Sequence, residues 1–216
     1  MITLYNVPVS SYGAKVRIIL RHKRMDWTEV TPPDGYGSAA YKQIVPAGTV
    51  PAIVHDGLTL ADSEAIAEYL DESFPSPAMM PVDAAARAKA RELSRFHDTR
   101  LEPVLRSFFG QVAPSGRDST FIAETSALLQ SRLDQLAVIA APAPLLTGKQ
   151  LAIADCAFVA SFGIIDLLTE ILALDLLVPP PIATYAAALI AHDSTAAEDS
   201  RYRQALRDWA GTKGAL

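Results

Sequence analysis

Eight residues, "FPSPAMMP" at 74–81, carry three prolines and stop the helical pattern that begins at Ser63. Proline has no amide proton and its ring clashes with the preceding turn, so a helix arriving there ends. The patterning differs in kind on the two sides. Upstream, "ITLYN" alternates as a strand does, residues 11–24 put Val16, Ile19 and Leu20 on one helical face, and "WTEVT" reads as a second strand. A Gly/Pro-rich loop and a short helix at 38–44 follow. Then "PAIV" and "LTLA" flank His55, Asp56 and Gly57, a hairpin signal, before Ile66, Tyr69, Leu70 and Phe74 fall at helical spacing.

Downstream the pattern is helical throughout. Leu93, Phe96, Val104, Leu105 and Phe108 predict a helix over 83–109, and Leu129, Leu133, Leu136 and Ile139 one over 118–141. Residues 152–172 are apolar nearly all round and are expected at the centre. "APAPLLTGKQ" and "VPPP" are breaks, and two helices near 182–192 and 198–209 close the chain. The expected organisation is an α/β domain over 1–75, a linker at 76–82 and an all-α domain over 83–216. In the first domain, strand, helix, strand, helix, hairpin and helix imply a crossover with two parallel strands, joined to an antiparallel hairpin. Pro51 starts a strand, where a trans bond is the default and a cis bond would present backbone groups at an angle.

Half of the 216 residues are hydrophobic, enough to bury a sizeable core, and the net charge of -5 comes without any Lys/Arg-rich tract. Nucleic acid and anionic membrane surfaces are therefore not expected as partners. The single cysteine, Cys156, excludes an internal disulfide and suits a reducing compartment; within its apolar helix it reads as a small core residue. The longest uncharged apolar run, "CAFVASFGII", is ten residues long, too short to span a bilayer, and the first residues lack a secretory pattern, so a cytoplasmic protein is expected. Histidines 22, 55, 97 and 192 show no metal-ligand spacing, and no metal is expected. His97 and Arg100 stand where they could face a substrate pocket, but read first as a solvated polar face.

Two short stretches carry chemistry. "VPVSSYGAKVR" sets three hydroxyls, Ser10, Ser11 and Tyr12, at the mouth of a helix, where serine commonly caps. "ADSEAI" begins another helix with Asp62 and Ser63. Its free amides suit a carboxylate, while Asp62 suits an ammonium.

"TVPAIV" followed by "ADSEAIAEYL", an α/β part ending near residue 75, a helical remainder and "IADCAF" in a later helix together resemble the cytosolic glutathione transferases over essentially the whole chain. The resemblance implies a thioredoxin-like domain followed by a helical domain, glutathione as cosubstrate and a homodimer. It also implies roles. In the zeta, theta and omega patterns the activating Ser or Cys stands seven residues before the position of Arg17, which selects Ser10; Ser11 is a small shift away, and Tyr12 falls where the zeta pattern has cysteine. The Val50 backbone would pair with the cysteinyl part of the tripeptide, with Pro51 in the cis position. Asp62 would help hold the γ-glutamyl amine and Ser63 its carboxylate. Lys42 would reach the glycine carboxylate, although by itself it reads as a solvated lysine.

Two residues depart from the pattern: Val45 replaces an asparagine, and Ala152 replaces the Ser or Thr that stands three residues before Asp155. A helix without that cap loses about 1 kcal/mol, so less robust folding is expected. The implied activity is attack by glutathione thiolate on a small hydrophobic electrophile, in the manner of detoxification enzymes. Conjugation, dehalogenation, ether cleavage and zeta-like cis-trans isomerisation all remain open. Alternatives are a cysteine-free glutathione-dependent disulfide reductase, since "SYGAKV" resembles a nu-class pattern, and a non-catalytic interaction module of the same fold.

Overall fold

The computed structural model describes residues 1–216, which divide into two compact units, Met1–Met79 and Met80–Leu216. The first contains β1 (Ile2–Tyr5), α1 (Ser11–His22), β2 (Trp27–Val30), α2 (Ala39–Lys42), β3 (Ala52–His55), β4 (Leu58–Leu60) and α3 (Ser63–Ser73). Its sheet has the order β2-β1-β3-β4. β1 and β2 are parallel, with Ile2 opposite Trp27, as a helical crossover requires. β3 runs antiparallel to β1, with Tyr5 opposite Ala52, and pairs β4 with Ile53 opposite Leu60. Asp56 and Gly57 turn the hairpin with φ of 49° and 84°, the left-handed pair that a two-residue turn of this twist demands.

α1 is buried far beyond one apolar face. Lys15 and Arg17 have no exposed surface, and Lys23 is also buried. Each meets an acid from another element: Lys15 pairs with Glu64, the Arg17 guanidinium with Glu29 at 3.0 Å, and the Lys23 ammonium with Asp71 at 2.7 Å. Buried charge is tolerated only when partnered in this way. Lys23 also donates to the carbonyls of Phe74 (2.7 Å) and Pro77 (2.9 Å), and Asp71 accepts from the Met79 amide at 2.9 Å. Residues 76–79, expected as linker, thus fold with the first unit. The Val50–Pro51, Ser76–Pro77 and Ala143–Pro144 bonds are cis, so Pro51 does not take the default isomer.

The second unit is helical: α4 (Ala84–Phe96), a π-helical turn (His97–Leu101), α5 (Glu102–Ser107), two short 3-10 turns, α6 (Ser119–Ile139), α7 (Ile153–Leu172), α8 (Pro180–Ile190) and α9 (Asp193–Thr212). The single helix expected over 83–109 is interrupted by the π turn. Pro103 has no amide proton to send back to the Thr99 carbonyl, so the regular ladder fails at this point. The solvated face expected for His97 is also overturned. His97 is fully buried, its Nδ1 2.8 Å from Asp98 Oδ1 and its Nε2 2.7 Å from Ser161 Oγ, while Arg100 is exposed. Ser161 is itself fully buried, so this Ser–His–Asp array ties the π turn to α7 instead of offering a nucleophile.

α7 is buried on nearly every side, Cys156 included. At its start Asp155 Oδ2 accepts from the Ala152 amide at 2.9 Å, and the Ala152 carbonyl takes the reciprocal bond from the Asp155 amide at 3.0 Å. Asp155 Oδ1 receives the Leu146 amide and the Tyr185 hydroxyl, both at 3.0 Å. Burial raises the Asp155 pKa against these three donors, and burial, then the Asp155 charge, holds the Tyr185 pKa well above the usual phenol range. α9 starts at Asp193, earlier than its apolar spacing indicates, because His192 Nδ1 caps it by accepting from the Ser194 amide at 3.2 Å. Tyr202 is buried in the last helix and Trp209 packs on Phe109 with ring centroids 4.9 Å apart. No helix is long and apolar enough to cross a membrane.

Candidate functional site

The strand register gathers the candidate segments at one end of the sheet. Tyr5 closes β1 opposite Ala52, the first residue of β3, and Leu60 closes β4 opposite Ile53. The segment leading to Ser10, the Val50–Pro51 turn and the Ala61–Asp62 entry to α3 therefore all leave the sheet at the same end.

Ser10 is the N-cap of α1. Its backbone is extended (φ -74°, ψ 113°), its side-chain oxygen accepts from the Gly13 amide at 3.0 Å, and it is 8% exposed. Ser11 and Tyr12 are the first two helical residues, Ser11 buried and Tyr12 half-buried. Gly13 is required by packing, because a Cβ there would lie 2.1 Å from Asn6 Oδ1. Asn6 is buried and donates to Glu29 at 3.1 Å, the same carboxylate that receives Arg17.

Asp62 caps α3 from an exposed position, its Oδ1 accepting from the amides of Glu64 and Ala65, each at 2.9 Å. Both bonds fall on one oxygen, which leaves Oδ2 for an ammonium. They also occupy two first-turn amides. The free helix-start amides expected for a carboxylate thus reduce to that of Ser63, beside its own hydroxyl. Ser63 is 7% exposed.

Val50 is half-buried and the following Pro51 buried. Lys42 is the exposed last residue of α2, and its stem lies across Gly48, where a Cβ would come within 2.9 Å of Lys42 Cε. Tyr41, Thr49 and Asn6 escaped the sequence reading. Tyr41, fully buried, donates its hydroxyl to the Thr49 carbonyl at 2.9 Å, and Thr49 donates its own hydroxyl to the Ala61 carbonyl at 3.2 Å. Burial, followed by the nearby Tyr5, pushes the Tyr41 phenol up to about 12, so it stays a donor at all physiological pH. Val45 joins Tyr41 and Ala52 in a small core against which Tyr5, Val50 and Ala61 pack. Only Asn6, beside the Ser10 loop, had a local signal, as a polar residue ending a strand.

A thioredoxin-like α/β unit followed by a helical unit, with two capped helix starts and a cis-proline turn at one end of the sheet, defines the class. The family model "Glutathione S-transferase, N-terminal domain" matches residues 4–78. A stringent starvation protein A homolog of Pasteurella multocida is 34% identical over 159 residues, covering 72% of this chain and 71% of that protein. A glutathione S-transferase of Pseudomonas putida is 28% identical over 196 residues, covering 85% and 84%. The solved structure of a maleyl pyruvate isomerase, described as a bacterial zeta-class glutathione transferase, superposes with a TM-score of 0.73 at 25% identity, covering 91% of this chain and 95% of that one. Other relatives match over about half of their length. The chain belongs to the glutathione transferase superfamily.

Proposed function

We propose that the protein binds glutathione and activates its thiol through Ser10 for attack on a small hydrophobic electrophile. A free thiol has a pKa near 8.5 and is mostly protonated at neutral pH. The Ser10 oxygen uses a lone pair for Gly13, and its proton is the donor offered to the sulfur. A hydrogen bond to a charged acceptor contributes about 1.5–3 kcal/mol, enough to lower the thiol pKa by about one to two units. Val50 pairs its backbone with the cysteinyl residue as an added strand does. Asp62 Oδ2 meets the γ-glutamyl ammonium, Ser63 its carboxylate, and Lys42 the glycine carboxylate. The bound thiolate then adds to an electrophilic carbon. In conjugation the leaving group departs with its bonding electrons; in a zeta-like isomerisation the adduct expels the thiolate again. The zeta-like course draws on the likeness to the maleyl pyruvate isomerase.

The observation that carries this reading is the gathering of Ser10, the cis Val50–Pro51 turn and the Asp62–Ser63 helix start at one end of a single sheet. Its test is to titrate glutathione into wild type and Ser10→Ala, following thiolate absorbance against pH. Wild type is expected to bind and lower the thiol pKa, and Ser10→Ala to bind without lowering it. Equal lowering by both moves the role to Ser11 or Tyr12.

The relative with 34% identity bears a name that states no enzymatic activity, which favours, as the second reading, an interaction module that keeps the fold. Thermal stability separates the two. Glutathione at one hundred times its dissociation constant adds about 2.7 kcal/mol to a protein that binds it, and nothing to one whose site is idle.

A further inference from the structure

The glutathione-binding reading leaves open what holds Val50 and the start of α3 in register with each other. Both are backbone features without regular pairing of their own. The Thr49 segment lies outside β3, and Ala61 outside β4 and α3. A backbone that must form hydrogen bonds to a peptide ligand needs a support that fixes it to within a fraction of an ångström.

That support is built around α2. Ser38 caps it by accepting from the Tyr41 amide at 3.0 Å, and the helix continues as turns in which the Tyr41 carbonyl receives the amides of Ile44 and Val45. Tyr41 and Val45 therefore share one side of the segment, and both have no exposed surface. Val50, Ala61 and Tyr5 pack against the small cluster that this pair forms with Ala52. Two polar ties in series accompany the packing, Tyr41 hydroxyl to Thr49 carbonyl and Thr49 hydroxyl to Ala61 carbonyl. Val45, which replaces a polar residue of the family pattern, extends the apolar support on which the tyrosine ring rests, and its carbonyl accepts from the Gly48 amide at 2.8 Å.

We propose that Tyr41 is a positioning residue of the tripeptide site, holding the Thr49 carbonyl so that the Val50 backbone and the Asp62–Ser63 helix start stand in register for one ligand. The proposal rests on the glutathione reading above. It assigns Tyr41 no contact with the reacting sulfur, so its loss acts on binding and not on the chemical step.

The experiment compares wild type, Tyr41→Phe and Tyr185→Phe by calorimetric titration with glutathione and by steady-state kinetics with a chlorodinitrobenzene electrophile. Tyr185→Phe is the control, since it removes a buried hydroxyl from the helical unit. Tyr41→Phe keeps the ring and removes one hydrogen bond, so the dissociation constant and KM for glutathione are expected to rise about 3- to 10-fold. The kcat and the pKa of bound thiol should stay as in wild type. Tyr185→Phe is expected to lower Tm without moving either glutathione constant. If Tyr41→Phe lowers Tm but binds glutathione as wild type does, Tyr41 is only a core residue and the proposal is overturned. If wild type itself does not bind glutathione, the functional reading fails and this proposal with it, an outcome distinct from the first. Should Tyr41→Phe not fold, the same criterion applies to Thr49→Val, which cuts the second tie.

Discussion

The Ser10 hydroxyl oxygen accepts the Gly13 amide proton at 3.0 Å, closing the first turn of α1 while leaving its own proton to be donated elsewhere. One side chain thus serves as helix cap and as candidate donor to sulfur. The two roles use different parts of the hydroxyl, so they can be separated by substitution.

Ser10→Asp is expected to keep the cap and lose activation. Aspartate caps as well as serine and its charge suits a helix start. An anion beside a thiolate, however, opposes ionisation of the thiol. Tm should stay within about 3 °C of wild type while kcat/KM falls about 10- to 100-fold, the range for losing one bond to a charged acceptor. Ser10→Ala should lose activity to a similar degree and also about 1 kcal/mol of stability. Retained activity in the aspartate variant would remove Ser10 from the mechanism.

Gly13→Ala normally gains stability inside a helix, by about 1 kcal/mol. In this protein the added Cβ would lie 2.1 Å from Asn6 Oδ1 and 2.4 Å from Asn6 Cγ, both belonging to a short buried side chain. A loss of about 1–3 kcal/mol in urea unfolding is expected instead. Asn6 Oδ1 has no hydrogen-bond partner, so truncating Asn6 removes the clash together with an unsatisfied atom. The pair Asn6→Ala and Gly13→Ala should show a favourable coupling of about 0.5–3 kcal/mol in a double-mutant cycle. Strict additivity would mean that the two residues do not touch.

Asp155 predicts a pH dependence with a defined sign. Burial raises its folded-state pKa above the ordinary 3.8, while the Ala152 and Leu146 amides and the Tyr185 hydroxyl pull the other way. Its contribution to stability is therefore fully present below about pH 3.8 and is lost as pH rises through the higher folded value. Asparagine at this position does not titrate. The stability of wild type relative to Asp155→Asn should accordingly increase as pH falls from 8 towards about 4, as read by urea unfolding at several pH values. Asp155→Ala leaves three donors without an acceptor and should cost several kcal/mol, on the order of 3–5, the cost growing on acidification as it does for Asp155→Asn. A wild-type advantage that shrinks on acidification contradicts the raised pKa.

Much of the fold was legible because its signals are local. Asp56–Gly57 between two apolar runs specifies the hairpin, and Ile66, Tyr69 and Leu70 mark α3 by spacing alone. The candidate site was legible for the same reason. Ser10, Asp62 and Ser63 stand at helix starts, where residue type and chain position suffice to suggest a cap or an anion site. His97 was not legible. Its partner Ser161 is 64 residues away, and an isolated histidine on a polar-looking helix carries no sign that it turns inward. Tyr41 was missed because α2 is four residues long, too short for any periodicity to mark a buried face.

By itself the sequence determined the strands and most of the helices, where the prolines at 75–81 divide the pattern, and which hydroxyls and carboxylates stand at helix mouths. Those are properties of a few neighbouring residues and their backbone angles. Only the tertiary structure decided that Lys15, Arg17 and Lys23 are interior, that the π turn aims His97 at α7, and that Tyr41 and Thr49 join the Val50 turn to α3. Each of these depends on a partner outside the residue's own helix or strand. Burying a charge or a hydroxyl is favourable only once closure of the fold has brought that partner within hydrogen-bond distance.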